Sequence, residues 1–239
     1  MAKKVVLLRV GIDSGCGKIQ SPLFSDGSFE FICIPDRDKV GKQTYGGKSL
    51  LKYFRASLRE KMADAPIHLD PEFETFTYGD PRSLKSSLSG LQPGDFLVFY
   101  FGLQPWDAKT GWNREHRPAL YLLGYFEVSI AGRAMDFKRQ VLLREFAKNH
   151  HVRHPKLFKQ QRNRLVLVKG GPGSRLFRRA HQISEQGADR AGRPLKVVSR
   201  KMRKIFGTFS GCGSIQRCVP RWVDPKFVDR SIGYLRELE

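Results

Sequence analysis

The segment ALYLLGYFEVSI, Ala119 to Ile130, constrains the fold of this chain more than any other stretch. Its aromatic and β-branched residues read as one long β-strand, interrupted at Gly124, where a bulge is expected. Upstream, LQPGDFLVFYFGL supplies a Pro-Gly turn and a second strand, Phe96 to Leu103. Further strands are expected at Val5 to Ile12, at Phe29 to Ile34, in FETFTYGDP up to the turn Gly79-Asp80-Pro81, and over 164–170. Leu50, Leu51, Phe54 and Leu58 recur at helical spacing behind Ser49, which predicts a capped helix over 50–62. Helices are also expected around 82–90, over 134–148, in SRKMRKIFG before Gly207 and over 225–238, with Ser174 as the N-cap of another. Strands and helices interleave without strict alternation. That pattern points to an α+β fold with a mixed central β-sheet and flanking helices. No repeat and no linker divides the chain, so residues 1–239 are expected to form a single domain.

Charge narrows the partners. The formal net charge is +20 and it is uneven: residues 1–150 carry a net +5, residues 151–239 a net +15. A cationic surface of this size suits a polyanion, because each neutralised phosphate releases counterions. DNA is the expected partner, contacted by the basic 151–239 part, while the near-neutral 1–150 part holds the candidate pocket. No run of about 18 apolar residues is present, so no membrane span is expected. The four cysteines include no Cys-x-x-Cys pair, and the start of the chain lacks a signal-peptide pattern. Reduced thiols and a cytoplasmic location are the expectation. His150, His151 and His154 in NHHVRHP read as a basic surface loop, and no metal site or cofactor motif is signalled.

Several polar residues are placed where chemistry could occur. In LLRVGIDSGCGKIQSP an apolar strand delivers Asp13 into a turn with glycines at 11, 15 and 17. Those glycines would let another group approach the carboxylate, but an ordinary Asp-Ser-Gly turn needs them too. Asp38, in the long loop PDRDKVGKQTYGGK, and Asp80, beside Tyr78, are the other candidate carboxylates. Tyr45, Tyr78, Tyr100 and Trp112 are candidate walls of a base pocket, with Trp106 and Trp112 suited to base stacking or to anchoring their loop. KGGPGSRLF offers Lys169, Ser174 and Arg175 as an anion site at a helix start. SIQRCVPRW offers Arg217 and Arg221 around Pro220 as phosphate contacts.

Three blocks together carry a resemblance: LLRVGIDSGCG…SPLFSDGSFEFICIP, LQPGDFLVFYFGL…YLLGYFEV and IFGTFSGCGSIQRCVPRW. In that order they resemble the nucleotide modification associated domain family, the third of its named types. The middle block is also similar to the Gly-Asp strand of PUA-like and EVE-like domains, which hold modified or flipped bases. The resemblance implies an α+β protein linked to modified DNA bases without fixing one reaction. Positions matching it are Asp13, Asp95, Arg217 and Arg221, with Gly94-Asp95 expected to be structural. Two functions fit. One is a DNA glycosylase that flips and excises a modified base, acting on modified phage DNA in antiviral defence, with Asp13 as the catalytic carboxylate and Asp80 and Asp38 as alternatives. If an amine were used instead, Lys169 would be the Schiff-base candidate. The other is a non-catalytic reader of modified bases in double-stranded DNA.

Overall fold

The computed structural model describes residues 2–13, 19–113, 115–209 and 214–238. Gly15 and Gly17, and two of the four cysteines, Cys16 and Cys212, lie outside the described residues. The strands are β1 (Val5–Arg9), β2 (Ser21–Leu23), β3 (Thr77–Asp80), β4 (Phe96–Asp107), β5 (Gly111–Trp112), β6 (Ala119–Arg133), β7 (Val166–Gly170), β8 (Arg175–Gln182), β9 (Ser184–Ala188), β10 (Pro194–Val198) and β11 (Arg221–Trp222). The α-helices are α1 (Ala56–Ala63), α2 (Arg139–Glu145), α3 (Pro155–Gln161), α4 (Arg200–Phe206) and α5 (Val228–Glu237).

The long strands β4 and β6 are the spine, as their sequences require. They pair antiparallel, and the main sheet runs β11-β1-β4-β6-β7-β3. β1 lies parallel to β4, while β11, β6, β7 and β3 are antiparallel to their neighbours. The architecture is α+β with a mixed sheet. The bulge falls at Gly124: the β4–β6 register shifts between Phe99 and Tyr100, and β8 joins β6 with a shift at the same place. A side chain at Gly124 would run into the Arg175 carbonyl. The glycine is there because another strand crosses close to it.

Alternation along the central strands sends side chains to two cores. Val5, Leu7, Phe96, Val98, Tyr100 and Tyr125 face α4 and α5 through Met202, Phe206 and Ile232. Val6, Leu8, Leu97, Phe99, Phe101 and Phe126 face the opposite way, onto Tyr78, Leu88 and Val168. A third cluster, with Ile12, Ile32, Tyr45, Tyr53, Phe54 and Ile67, holds a loop-rich lobe over residues 29–69. This lobe stands over the end of β1 where Asp13 emerges.

Local structure departs from expectation where tertiary contacts override the sequence pattern. Phe29–Ile34 is not a continuous strand; Phe29 makes an isolated bridge to Leu23, and the Ile32 amide donates to Ser21 Oγ. The helix over 50–62 splits into a 3-10 turn, Leu50–Tyr53, and α1, and Ser49 sits at φ 57° without capping it. The 134–148 helix shortens to a 3-10 turn and α2. Ser174 caps no helix, because Arg175 opens β8, which pairs with β6. Ser199 does cap α4, accepting from the Met202 amide, and Gly207 ends it at φ 73°.

Candidate functional site

β1 and β3 both end at one cleft of about 320 Å³. β1 leads through Gly11 at φ 76° to Asp13. A Cβ at Gly11 would stand 2.9 Å from Phe31 Cε2, so both the turn and the packing demand glycine here. Asp13 accepts from Arg9 Nη2 at 2.9 Å, and the other terminal nitrogen of Arg9 donates to the Gln216 carbonyl. The i to i+4 pair thus ties the strand end to the 214–218 segment that closes one side. β3 contributes Tyr78, Gly79 and Asp80. Arg82 grips both oxygens of Asp80, with Nε at 2.9 and 3.1 Å, and the Tyr78 hydroxyl donates to Asp80 Oδ2 at 2.9 Å. Burial works against the Asp80 charge, but hydrogen bonds and charge from Arg82 overcome it and hold the carboxyl below its usual range. Tyr78 is raised by burial and by that carboxylate. Asp38 stands exposed at the rim.

All three candidate carboxylates therefore line one cleft. The aromatic candidates do not. Only Tyr78 reaches it. Tyr45 and Tyr100 are fully buried, donating to the carbonyls of Cys33 at 2.8 Å and Ile215 at 2.9 Å, so neither can stack on a ligand. Trp112 donates to the Tyr53 carbonyl at 3.1 Å and Trp106 packs edge-on to Tyr53. Both anchor the β4–β5 hairpin to the loop-rich lobe, and Trp112 lines a separate open concavity with Thr110, Asn113 and Glu115.

The phosphate candidates divide similarly. Lys169 donates to the Thr75 carbonyl from β7, and Ser174 is buried with its Oγ accepting from the Glu127 amide at 3.1 Å. With a strand following, the helix-terminus argument for these two and for Arg175 falls. Arg175 is exposed, over the Tyr125 ring and bonded to the Leu238 carbonyl at 3.3 Å. Arg217 is exposed next to Cys218, which lines the cleft. Arg221 is half-buried on β11. Exposed Arg178, Arg179, Arg190, Arg193, Arg200, Lys201, Arg203, Lys204 and Arg230 extend a cationic surface over β8 to α5. Asp95 is structural as expected: buried, it accepts from the Lys4 amide at 2.7 Å and the Gln92 amide at 2.8 Å.

The largest correction concerns the histidines. His150 and His151 are buried, not on a surface loop, and gather with His68, Asp36 and Asp70 beneath the cleft. The turn after Phe146 inserts them: Val152 and Arg153 amides return to the Asn149 carbonyl, and the Asn149 side chain accepts from the His151 amide at 3.1 Å. His151 Nδ1 lies 2.6 Å from Gln161 Oε1 of α3, and its Nε2 faces Asp70 Oδ2 at 3.4 Å. Asp70 Oδ2 also accepts from the Gly79 amide at 2.8 Å. Burial raises Asp70 to about 6, and His151 is raised against its own burial by the Asp70 contact. Burial and neighbouring imidazoles lower His68 to about 2. His150 falls to about 4 through burial, opposed by Asp36. The usable sequence signal was His68-Leu69-Asp70, since residues two apart on an extended segment point the same way.

Carboxylates, a buried imidazole–carboxylate group and guanidinia thus line one small polar cleft. The family model of nucleotide modification associated domain 3 matches residues 4–227, and the chain belongs to that family. Membership links the protein to modified nucleotides. Comparisons with curated proteins and with solved structures returned no match. Among the described residues, no helix is long and apolar enough to cross a membrane.

Proposed function

We propose that the protein is a DNA glycosylase that takes a modified base into the β1–β3 cleft and hydrolyses its N-glycosidic bond. The observation that carries the reading is the convergence of Asp13, Asp38 and Asp80 on one cleft of about 320 Å³. That volume suits one nucleoside, which must leave the stack to enter. Arg9 pairs with Asp13 at 2.9 Å and holds its carboxylate at the cleft. There Asp13 stabilises positive charge on the sugar as the bond to the base breaks and water adds at C1′. Asp80, clamped by Arg82 and Tyr78, shapes the wall. The cationic surface carrying Arg217 holds the flanking phosphates of double-stranded DNA, and removing bases from modified phage DNA in the cytoplasm would serve antiviral defence.

A second reading, a non-catalytic reader of modified bases, is favoured by the ion pairs that already neutralise Asp13 and Asp80. One incubation separates them: modified and plain DNA of the same sequence with the protein, then alkali. Strand breaks confined to modified DNA, reduced by orders of magnitude in a folded Asp13→Asn variant that still binds, are expected. Binding without base release by the wild-type protein rejects the glycosylase and leaves the reader. Full activity in Asp13→Asn rejects that residue's role.

A further inference from the structure

We infer that His68, Asp70 and His151 form a binding site for one divalent transition-metal ion, open to the cleft. Their ligand atoms lie within 4.8 Å of one another in a single set. Proximity alone would carry little weight, because buried histidines and aspartates often satisfy each other. Here they do not. Asp70 Oδ1 and His151 Nε2 are buried and have no hydrogen-bond partner, although Asp70 and His151 side chains are 2% and 3% exposed. Leaving such groups unsatisfied is costly, so native proteins rarely keep them without a use.

The surroundings are those of a ligand set. His151 Nδ1 is engaged by Gln161 Oε1 at 2.6 Å, which fixes the ring and turns the Nε2 lone pair toward Asp70. A second partner that sets the tautomer in this way is the usual companion of a metal-bound imidazole. The Gly79 amide occupies Asp70 Oδ2 and leaves Oδ1 for the ion. His68, Asp70 and His151 all line the cleft, so a bound ion keeps open positions for water or a ligand oxygen.

A second set, Asp36, His68 and His150, overlaps the first at His68. Asp36 is already committed to a turn, accepting from the amides of Asp38 at 3.1 Å, Val40 at 2.9 Å and Gly41 at 2.7 Å. Neither Asp36 nor His150 lines the cleft. A neutral imidazole offers one lone pair, so the site holds one ion, in the His68–Asp70–His151 set. Two imidazoles and one carboxylate suit zinc, iron or cobalt, whereas magnesium and calcium seek oxygen ligands. The site stands whichever reaction the cleft performs. It departs from the expectation, drawn from the sequence, of no metal.

The test uses the full chain stripped with a chelator, then titrated with Zn²⁺ by calorimetry and with Co²⁺ by visible absorption. One equivalent of Zn²⁺, a Co²⁺ ligand-field band displaced by Zn²⁺, and a Zn²⁺-dependent rise in melting temperature are expected. His151→Gln and Asp70→Asn should abolish the band, and Gln161→Ala, which only positions His151, should weaken Zn²⁺ about 10–100-fold. His116→Ala, outside the cluster, should change nothing. Absence of stoichiometric binding by the wild-type protein overturns the site, as does a band that survives in folded His151→Gln and Asp70→Asn. Should those variants fail to fold, the wild-type band and Gln161→Ala decide: an unchanged affinity in Gln161→Ala also counts against it.

Discussion

Gly79→Ala tests whether the cleft floor is as tightly built as its geometry implies. Gly79 lies in β3 opposite Leu167, with His151 and Asn149 against its face. An added Cβ would sit 2.9 Å from His151 Cδ2, 3.0 Å from Asn149 Oδ1 and 3.2 Å from Leu167 Cδ2. Carbon atoms prefer about 3.5–4.0 Å, and none of these three neighbours can swing aside. His151 is pinned by Gln161, Asn149 accepts from the His151 amide, and Leu167 is fully buried. Overpacking of this kind costs about 1–3 kcal/mol. The lower entropy of an unfolded alanine offsets about 0.4–1 kcal/mol of that. Gly90→Ala provides the control, since its Cβ meets nothing within 4 Å. The two variants should therefore differ by about 2 kcal/mol in urea unfolding, or about 4–8 °C in melting temperature for a chain of this size. Coincident unfolding curves for the two variants would refute the packing argument and with it the rigid placement of His151.

DNA affinity should fall steeply between about 50 and 200 mM salt, and Arg217→Ala should lower the slope of log K against log salt by about one; a salt-independent affinity would remove the phosphate-driven model. Tyr45→Phe and Tyr100→Phe should each cost about 1–2 kcal/mol in denaturant unfolding by orphaning a buried carbonyl, while leaving affinity for modified DNA unchanged. Lys85 is buried, its ammonium donating to the Cys218 carbonyl, and burial lowers it to about 8. Between pH 8 and its unfolded value of 10.5, the unfolded chain binds the extra proton, so wild-type stability should rise with pH relative to Lys85→Met. Stability curves from pH 7 to 10 should show a relative gain of about 1–3 kcal/mol, and parallel curves would contradict it.

The spine of the fold was legible because its signals are local. Phe96 to Leu103 and Ala119 to Ile130 carry strand chemistry along their whole length, and Gly124 marked its bulge. Helix ends were legible where the signal was real, as at Gly207, and misread at Ser174, where pairing of β8 with β6 outweighs the capping residue. The loop-rich lobe was not legible: Phe29 to Ile34 has strand composition, yet its side chains pack on Phe73 and Phe101 in irregular backbone. Among the candidate site residues, Asp13 and Asp80 meet at one cleft, and their settings, a strand end with glycines and a Gly-Asp-Pro turn, are visible in sequence. The aromatics were assigned by type alone, and burial then removed Tyr45 and Tyr100. His150 and His151 were misplaced because adjacent basic residues dominate their segment, while their burial depends on Asn149, Gln161 and β3, brought together only by the fold.

The four deeper carboxylates of this region separate by how their charge is balanced. Asp13 has Arg9, Asp80 has Arg82 and Tyr78, and Asp36 has three backbone amides. Asp70 is as buried as Asp36 but has one amide, from Gly79, and an imidazole at 3.4 Å without hydrogen-bond geometry. Moving a carboxylate from water into such a site is unfavourable by several kcal/mol unless something neutralises it. The fold supplies guanidinia for Asp13 and Asp80 from residues four and two positions away, so those pairs form with their own segments. For Asp70 it supplies instead His68 from its own segment and His151 from the turn before α3, with ligand atoms within 4.8 Å of one another. A local cation would have satisfied the charge with less construction. The arrangement around Asp70 is therefore best explained by a ligand that needs several donors at once, placed on the wall that Asp13 shares.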